Sequence, residues 1–333
     1  MKPGPFRVAL TYDVERNSPP FVKSTGKVYS GMEVMPEVLQ TMKAQGAPGT
    51  WYIAHDVDPE NQIALRFPEI TADMAGQGEV GTHVHFREYQ KVRTDVAFVT
   101  ASVSAATECL RSEGYPAKSF RGGNLYMSPV LLDHLEDLGY ETDSSVLPGH
   151  RVTMNDGLRV DHTERRSCEP YYPKKSQPWS AGGKGILEIP LSAFPLLSFA
   201  TPFFSVLINY LVLISNLVLL DPELAIERMQ RIRNKWPTEN AVIVLSAHPH
   251  DFLADSISTE AKLENFEAFL KAVNRIPGAS FATAADIRSG WVGPDQANRD
   301  PRDRAPLKLT TGDLRKAKQL LRRPVRMPHT SSV

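Results

Sequence analysis

The sequence predicts a parallel α/β barrel, and three observations carry that expectation. Short apolar runs alternate with segments of helical periodicity along most of the chain. About eight such units are present, enough to curl a parallel sheet into a barrel. Five of the apolar runs end, in order, on polar clusters, and a barrel gathers its active site at the carboxyl ends of its strands.

The first strand is expected over residues 6–13, ending in Thr11-Tyr12-Asp13 with Glu15 just beyond. Met35, Val38, Leu39 and Met42 then fall at helical spacing, and a second strand follows over 50–54. The third, over 79–83, runs into His83-Val84-His85. Val96, Val99, Val103, Ala106 and Leu110 form the next helical stripe. A strand over 119–121 leads into Arg121-Gly122-Gly123-Asn124, and one over 141–145 carries Asp143-Ser144-Ser145. Strands over 186–191 and 241–247 follow, the latter entering His248-Pro249-His250. After the stripe Leu263, Phe266 and Leu270, the last strand lies over 280–283. These stripes read as core, and no internal repeat is visible. The barrel is expected over 1–292 and a basic tail over 293–333.

Three stretches stand outside this rhythm. Residues 146–185 read as a long loop, in which Tyr171, Tyr172 and Trp179 are either a stacking wall for a sugar or part of a solvated excursion. Residues 203–220 carry no charge and read as a buried barrel helix, an oligomer contact or a membrane-facing helix. The tail holds ten Lys and Arg against four Asp, and its short helix around 312–326 is expected either to be solvated or to lie on anionic lipid.

Composition narrows the class. A hydrophobic fraction of 41% and a charged fraction of 23% are ordinary for a globular protein, and a formal net charge of zero gives no field for nucleic acid. Cys109 and Cys168 form no metal spacing and no disulfide framework, which points to a reducing compartment. The opening Met1-Lys2-Pro3-Gly4-Pro5-Phe6 lacks the apolar core of a secretory signal. The expected location is therefore the cytoplasm, or peripheral at the inner face of the membrane.

The polar clusters suit metal chemistry. Residues i and i+2 of a strand point to one side, so His83 and His85 can converge on an ion, and Asp13 and Glu15 share that spacing. Imidazole and carboxylate together favour a borderline divalent ion, zinc first, with manganese, nickel and iron as other fits. A bound ion lowers the pKa of its water toward ~7, a free carboxylate takes a proton, and a histidine returns one to a leaving group. The set suits hydrolysis of an amide or ester.

The order of the clusters resembles the polysaccharide deacetylases, the NodB-homology or carbohydrate esterase family 4 group, from about residue 6 to about residue 290. Thr11-Tyr12-Asp13-Val14 stands in the place of its Thr-Phe-Asp-Asp, and His83 opens its His-x-x-x-His. Arg121-Gly122-Gly123, Asp143-Ser144-Ser145 and Leu245-Ser246-Ala247-His248 follow as its third to fifth motifs. Val14 and Arg87 replace two of the usual metal ligands, with Glu15 and His85 as nearby substitutes, so the chain looks like a divergent branch. The resemblance implies an irregular barrel of seven to eight strands and one divalent ion held by Glu15, His83 and His85, with Asp13 touching it or acting as general base. It implies further that Arg121 keeps Asp13 ionised and that His248 is the general acid, steadied by Asp143 or another carboxylate. His250 is either a supporting or a structural residue. The expected reaction is removal of an acetyl or formyl group from a sugar, lipid-linked or nucleotide-linked, in envelope glycan biosynthesis. An amidase on a small amide, or a non-catalytic carbohydrate-binding protein, is the alternative.

Overall fold

The computed structural model describes residues 6–17, 19–55, 61–86, 91–92, 95–153, 159–165, 167–195, 211–235, 241–255 and 257–291. Its centre is one eight-stranded sheet in which every pairing is parallel. The strands are β1 (Phe6–Val14), β2 (Gly49–Ala54), β3 (Gly78–Val84), β4 (Ser119–Gly122), β5 (Thr142–Asp143), β6 (Leu187–Glu188), β7 (Ala241–Ala247) and β8 (Ala279–Phe281). All eight expected strands are present. Their order is β6-β5-β4-β3-β2-β1-β7, with β8 paired to β1 over Phe6–Val8, below the point where β2 begins its own pairing at Leu10. The sheet curls into an irregular barrel. The chain leaving β6 reaches β7, where Ser192 N–H donates to the Val244 carbonyl at 3.0 Å and the Val244 N–H to Ser192 Oγ at 3.0 Å.

Strand alternation divides each strand between two environments. On β1 the outward Phe6, Val8, Leu10, Tyr12 and Val14 join Trp51, Ile53, Ile243 and Leu245 in a core beneath the helices. The inward Ala9 packs with Leu187, Val242 and Val244 inside the barrel. Above it, Thr11 and Asp13 face the interior and Glu15 continues the same phase. The opposite end is plugged by α8 (Ala284–Gly290), whose first residues donate Ala284 N–H to Thr50 Oγ1 at 2.9 Å and Ala285 N–H to Glu79 Oε2 at 2.8 Å.

The outer helices bury the expected stripes. α1 (Ser30–Ala44) buries Met35, Val38, Leu39 and Met42. α2 is Pro68–Gly76, and α3 (Val96–Ser112) buries Val99, Val103, Ala106 and Leu110 while Val96 of its first turn is exposed. Its N-cap Asp95 accepts from Phe98 N–H at 2.9 Å. α4 is Pro129–Asp137, and the apolar run contributes α5 (Ile214–Leu220) ahead of α6 (Pro222–Lys235) and α7 (Thr259–Asn274).

Two expectations are corrected. The 203–220 run is not one helix: Leu211–Leu213 pairs antiparallel with Ala193–Pro195, and only then does α5 begin. Leu217, Val218 and Leu219 are buried in the main core, so this part of the run is core; residues 203–210 lie outside the described residues. Among the described residues no helix is long and apolar enough to cross a membrane. The tail over 293–333 lies outside the described residues. The loop aromatics are the second correction. Tyr171 is fully buried beneath the Arg165 guanidinium, 3.7 Å from its ring centre, and offers no face to a ligand. Tyr172 Oη accepts from Arg288 of α8 at 2.8 Å, at the end of the barrel away from the rim.

Candidate active site and metal centre

Arg121 organises the rim. It is fully buried, and the five N–H donors of a guanidinium all find acceptors here. Nη1 donates to Asp13 Oδ1 at 2.7 Å and Ser246 Oγ at 3.0 Å. Nη2 donates to Thr11 Oγ1 at 2.8 Å and Ser144 Oγ at 2.9 Å, and Nε donates to the Ser144 carbonyl at 2.9 Å. The guanidinium also lies over the inward Tyr52 ring, 4.3 Å from its centre. Residues of β1, β2, β4 and β7 and the end of β5 are tied together by this one side chain. Burial alone would raise the Asp13 pKa, but Arg121, with His83 and His248, holds it below the usual carboxylate range.

Glu15, His83 and His85 meet beside that pair. Glu15 Oε2 lies 2.7 Å from His85 Nε2 and 3.9 Å from His83 Nε2, and the two ring nitrogens are 3.1 Å apart. His83 Nδ1 faces the Arg121 carbonyl at 2.9 Å, an acceptor only, so that nitrogen carries the proton and Nε2 presents its lone pair. Burial lowers the His83 pKa to about 4, which keeps the ring neutral. Burial would raise the Glu15 pKa, but pairing with His85, aided by His248 and His83, pulls it well below the ordinary value. Two imidazole nitrogens and a carboxylate oxygen thus converge, with the far side of one ring fixed by a carbonyl. This donor set fits a borderline divalent ion.

Strand phase explains why the substitutes sit where they do. Val14 faces outward and is fully buried in the helix-side core, where an ionised carboxylate would have no partner. Glu15, one residue on, shares the phase of Asp13. Gly123 serves the same site. A Cβ there would meet His85 Cγ and Nδ1 at 2.7 Å and the Val84 carbonyl oxygen at 2.7 Å, so only glycine lets that ring lie against the backbone.

His248 follows β7 and points at the same space, its Nε2 3.6 Å from Glu15 Oε1 and 3.9 Å from Asp13 Oδ2. Its Nδ1 lies 3.3 Å from Asp251 Oδ2, which also accepts the His248 backbone N–H at 2.7 Å across the short turn Pro249–Phe252. Burial opposes protonation of His248, but the hydrogen bond and charge of Asp251, with Asp13 and Glu15 adding, push its pKa up to about 10.

The carboxylate beside His248 is therefore Asp251, and Asp143 is elsewhere. In register opposite the outward Phe120, Asp143 turns away from the rim toward Glu188, accepts from Ser145 Oγ at 2.6 Å, and sits opposite Glu188 in the β5–β6 pairing. Burial pushes both pKa values up, and the Asp143 charge raises that of Glu188 further. Ser144, one residue on, faces inward and meets Arg121. Sequence reasoning brought Asp13, Glu15, His83, His85, Arg121 and His248 to one rim; it missed Asp251, Thr11, Tyr52, Ser144 and Ser246. For Asp251 the available signal was its position three residues after His248, where a carboxylate can reach back to cap the turn.

No protein-family model and no curated protein matches the chain. Solved structures do match. A Mycobacterium smegmatis protein described as a polysaccharide deacetylase shares 19% identity at a TM-score of 0.57, over 93% of this chain and 95% of that one. A Pseudomonas aeruginosa protein described likewise shares 14% identity at a TM-score of 0.52, over 86% and 90%. A 4-alpha-glucanotransferase from Thermococcus litoralis shares 15% at a TM-score of 0.54, over 87% of this chain but 41% of that one. The chain has the barrel fold of these proteins, and its ordered motifs resemble the polysaccharide deacetylases, the group to which two of these matches are ascribed.

Proposed function

We propose that the chain is a metal-dependent hydrolase that removes an N-acyl group, acetyl or formyl, from an amino sugar. The observation that carries this is the grouping of an arginine-held carboxylate, a carboxylate–bis-imidazole triad and a histidine–carboxylate pair at one strand-end rim. Glu15, His83 and His85 would hold the ion, which when bound supplies Lewis-acid polarisation of an acyl oxygen and a more acidic water. The rest is done by the chain. Arg121 keeps Asp13 ionised, with Oδ1 occupied and Oδ2 turned toward His248, ready to accept a proton from water. His248, protonated and held at Nδ1 by Asp251, carries on Nε2 a proton for the leaving amine.

Asp13→Asn and His248→Ala are each expected to cut turnover by at least ~10²-fold. Release of acetate or formate would be measured on N-acyl sugars, nucleotide sugars and lipid-linked sugars, with metal-depleted protein reloaded with zinc, manganese, nickel or iron. Near-normal rates in either variant remove that residue from the mechanism. Hydrolysis confined to small amides, or sugar binding without release, replaces the proposal with an amidase or a binding protein. Glycosyl transfer fits less well, because it needs two carboxyl groups flanking the scissile bond. On this rim Asp13, Glu15 and Asp251 are each engaged by a cationic or imidazole partner.

For the substrate we favour a lipid-linked or nucleotide-linked sugar of envelope glycan biosynthesis, reached at the inner face of a membrane. A lipid-linked sugar calls for peripheral contact, for which the basic 312–326 segment supplies charge. Salt-sensitive sedimentation with anionic liposomes, reduced by deleting 312–333, is the expected result. Absence of sedimentation at low salt moves the substrate to a nucleotide sugar.

A further inference from the structure

The chain carries a second His-x-His, His248-Pro249-His250, followed at once by Asp251. His250 has no part in the chemistry above. Its Nδ1 is buried and has no hydrogen-bond partner among the described residues, whereas buried ring nitrogens are ordinarily paired. The imidazole rings of His248 and His250 lie 4.8 Å apart, centre to centre, inclined by 31°. One ligand atom from each of His248, His250 and Asp251 lies within 4.8 Å of the other two, and the three residues are half-buried, so the cluster is reachable from solvent. The turn that carries them is fixed. A Cβ on Gly31 of α1 would meet the His250 backbone nitrogen at 2.7 Å and the Pro249 carbonyl carbon at 2.9 Å, so the turn rests directly on that helix.

We infer that His248, His250 and Asp251 form a second divalent-cation site across the rim from Glu15, His83 and His85. Two imidazoles and a carboxylate suit a borderline ion such as zinc, cobalt or nickel rather than calcium or magnesium, which prefer all-oxygen shells. The two triads share no residue. Glu15 stands between them, with Oε2 against His85 and Oε1 3.6 Å from His248 Nε2. An ion here takes the place of the proton that His248 Nδ1 shares with Asp251. That proton leaves to solvent, and the hydrogen on Nε2 remains toward Glu15. The inference does not depend on the deacetylase reading.

The test is stoichiometry. Metal-free full-length protein is titrated with zinc and, separately, with cobalt(II), and bound metal per chain is read by equilibrium dialysis with elemental analysis. Wild type is expected to bind about two equivalents, because each triad is a complete three-ligand set. His250→Ala and His250→Phe, the latter keeping a ring against His248, are each expected to bind about one less, with cooperative melting to show that they fold. The paired change His83→Ala, His85→Ala is expected to lose the other equivalent. Unchanged stoichiometry in either folded His250 variant overturns the inference, whether wild type binds two equivalents or one. If the His250 variants lose an equivalent while the His83–His85 variant loses none, the second site stands and the metal centre of the proposed hydrolase falls.

Discussion

Arg121 shows what a single side chain fixes. A buried arginine is tolerated only when its donors are satisfied, and here five acceptors from three stretches of chain meet it. Lysine, with three donors on one nitrogen, cannot reproduce that planar set. Gly123 fixes the neighbouring His85 by absence. Gly123→Ala is expected to displace both the His85 ring and the Val84 backbone carbonyl beside it, weakening the ion at Glu15–His83–His85 by ~10–100-fold, the scale of disturbed ligand orientation. Chelator competition on the variant measures this, and unchanged affinity would show that His85 does not hold metal. At this scale the sequence was readable where i, i+2 spacing put two ligand types on one side, as at Asp13–Glu15 and His83–His85. It was unreadable at Asp143-Ser144-Ser145. All three residues are polar, so no apolar neighbour marks the phase, and a shift of one position exchanges the inward and outward sets.

At the scale of elements, the acid-bearing turn depends on a helix far along the chain. Lys262 of α7 is buried, and its ammonium donates to the carbonyls of Asp251 at 2.7 Å and Leu253 at 2.6 Å. Asp255 Oδ1 is 3.2 Å away. It thus satisfies the turn that presents Asp251 to His248, and acts as a positioning residue. Lys262→Met keeps the apolar stem but leaves two carbonyls unpaired, at a cost of roughly 1–3 kcal/mol each. Turnover is expected to fall ~10-fold with KM little changed, because the pair acts on the leaving group rather than on binding. A variant with a lower melting temperature and a normal kcat would make Lys262 purely structural. This lysine was invisible in the sequence, where a charged residue within a helical stripe reads as solvated. The same scale explains the 203–220 run. Its hydrophobicity signalled burial correctly for Leu217, Val218 and Leu219, but hydrophobicity alone does not separate a strand followed by a short helix from one long helix. Strands β1, β2 and β7 were legible as short apolar runs bounded by turn residues and polar ends, whereas β5 is polar throughout and was legible only from its place in the strand–helix order.

Over the whole molecule, burying histidines makes stability depend on pH from two sides. His83 and His162 are buried and kept neutral, with pKa values lowered to about 4 and about 3, chiefly by burial. In the unfolded chain both return to ~6.5. Between those limits the unfolded state binds protons that the folded state refuses, so stability is full above ~6.5 and declines as pH falls. His248 works in the other direction. Its pKa is raised to about 10, so its contribution is present below ~6.5 and is lost as pH rises toward about 10. The molecule is expected to be most stable between these limbs. His162 isolates the acid limb because it belongs neither to the Arg121 network nor to either triad; its Nδ1 accepts the Leu147 backbone N–H at 3.2 Å and its backbone N–H donates to the His150 carbonyl at 2.7 Å. His162→Asn places an acceptor oxygen near that nitrogen and removes the titrating group. Urea melts between pH 6 and pH 4.5 should show the wild-type slope reduced by up to about 1.4 kcal/mol per pH unit, the linkage value for one proton. Equal slopes for the two proteins would mean that His162 takes up its proton in the folded state, and that its burial does not contribute to the acid sensitivity of the fold.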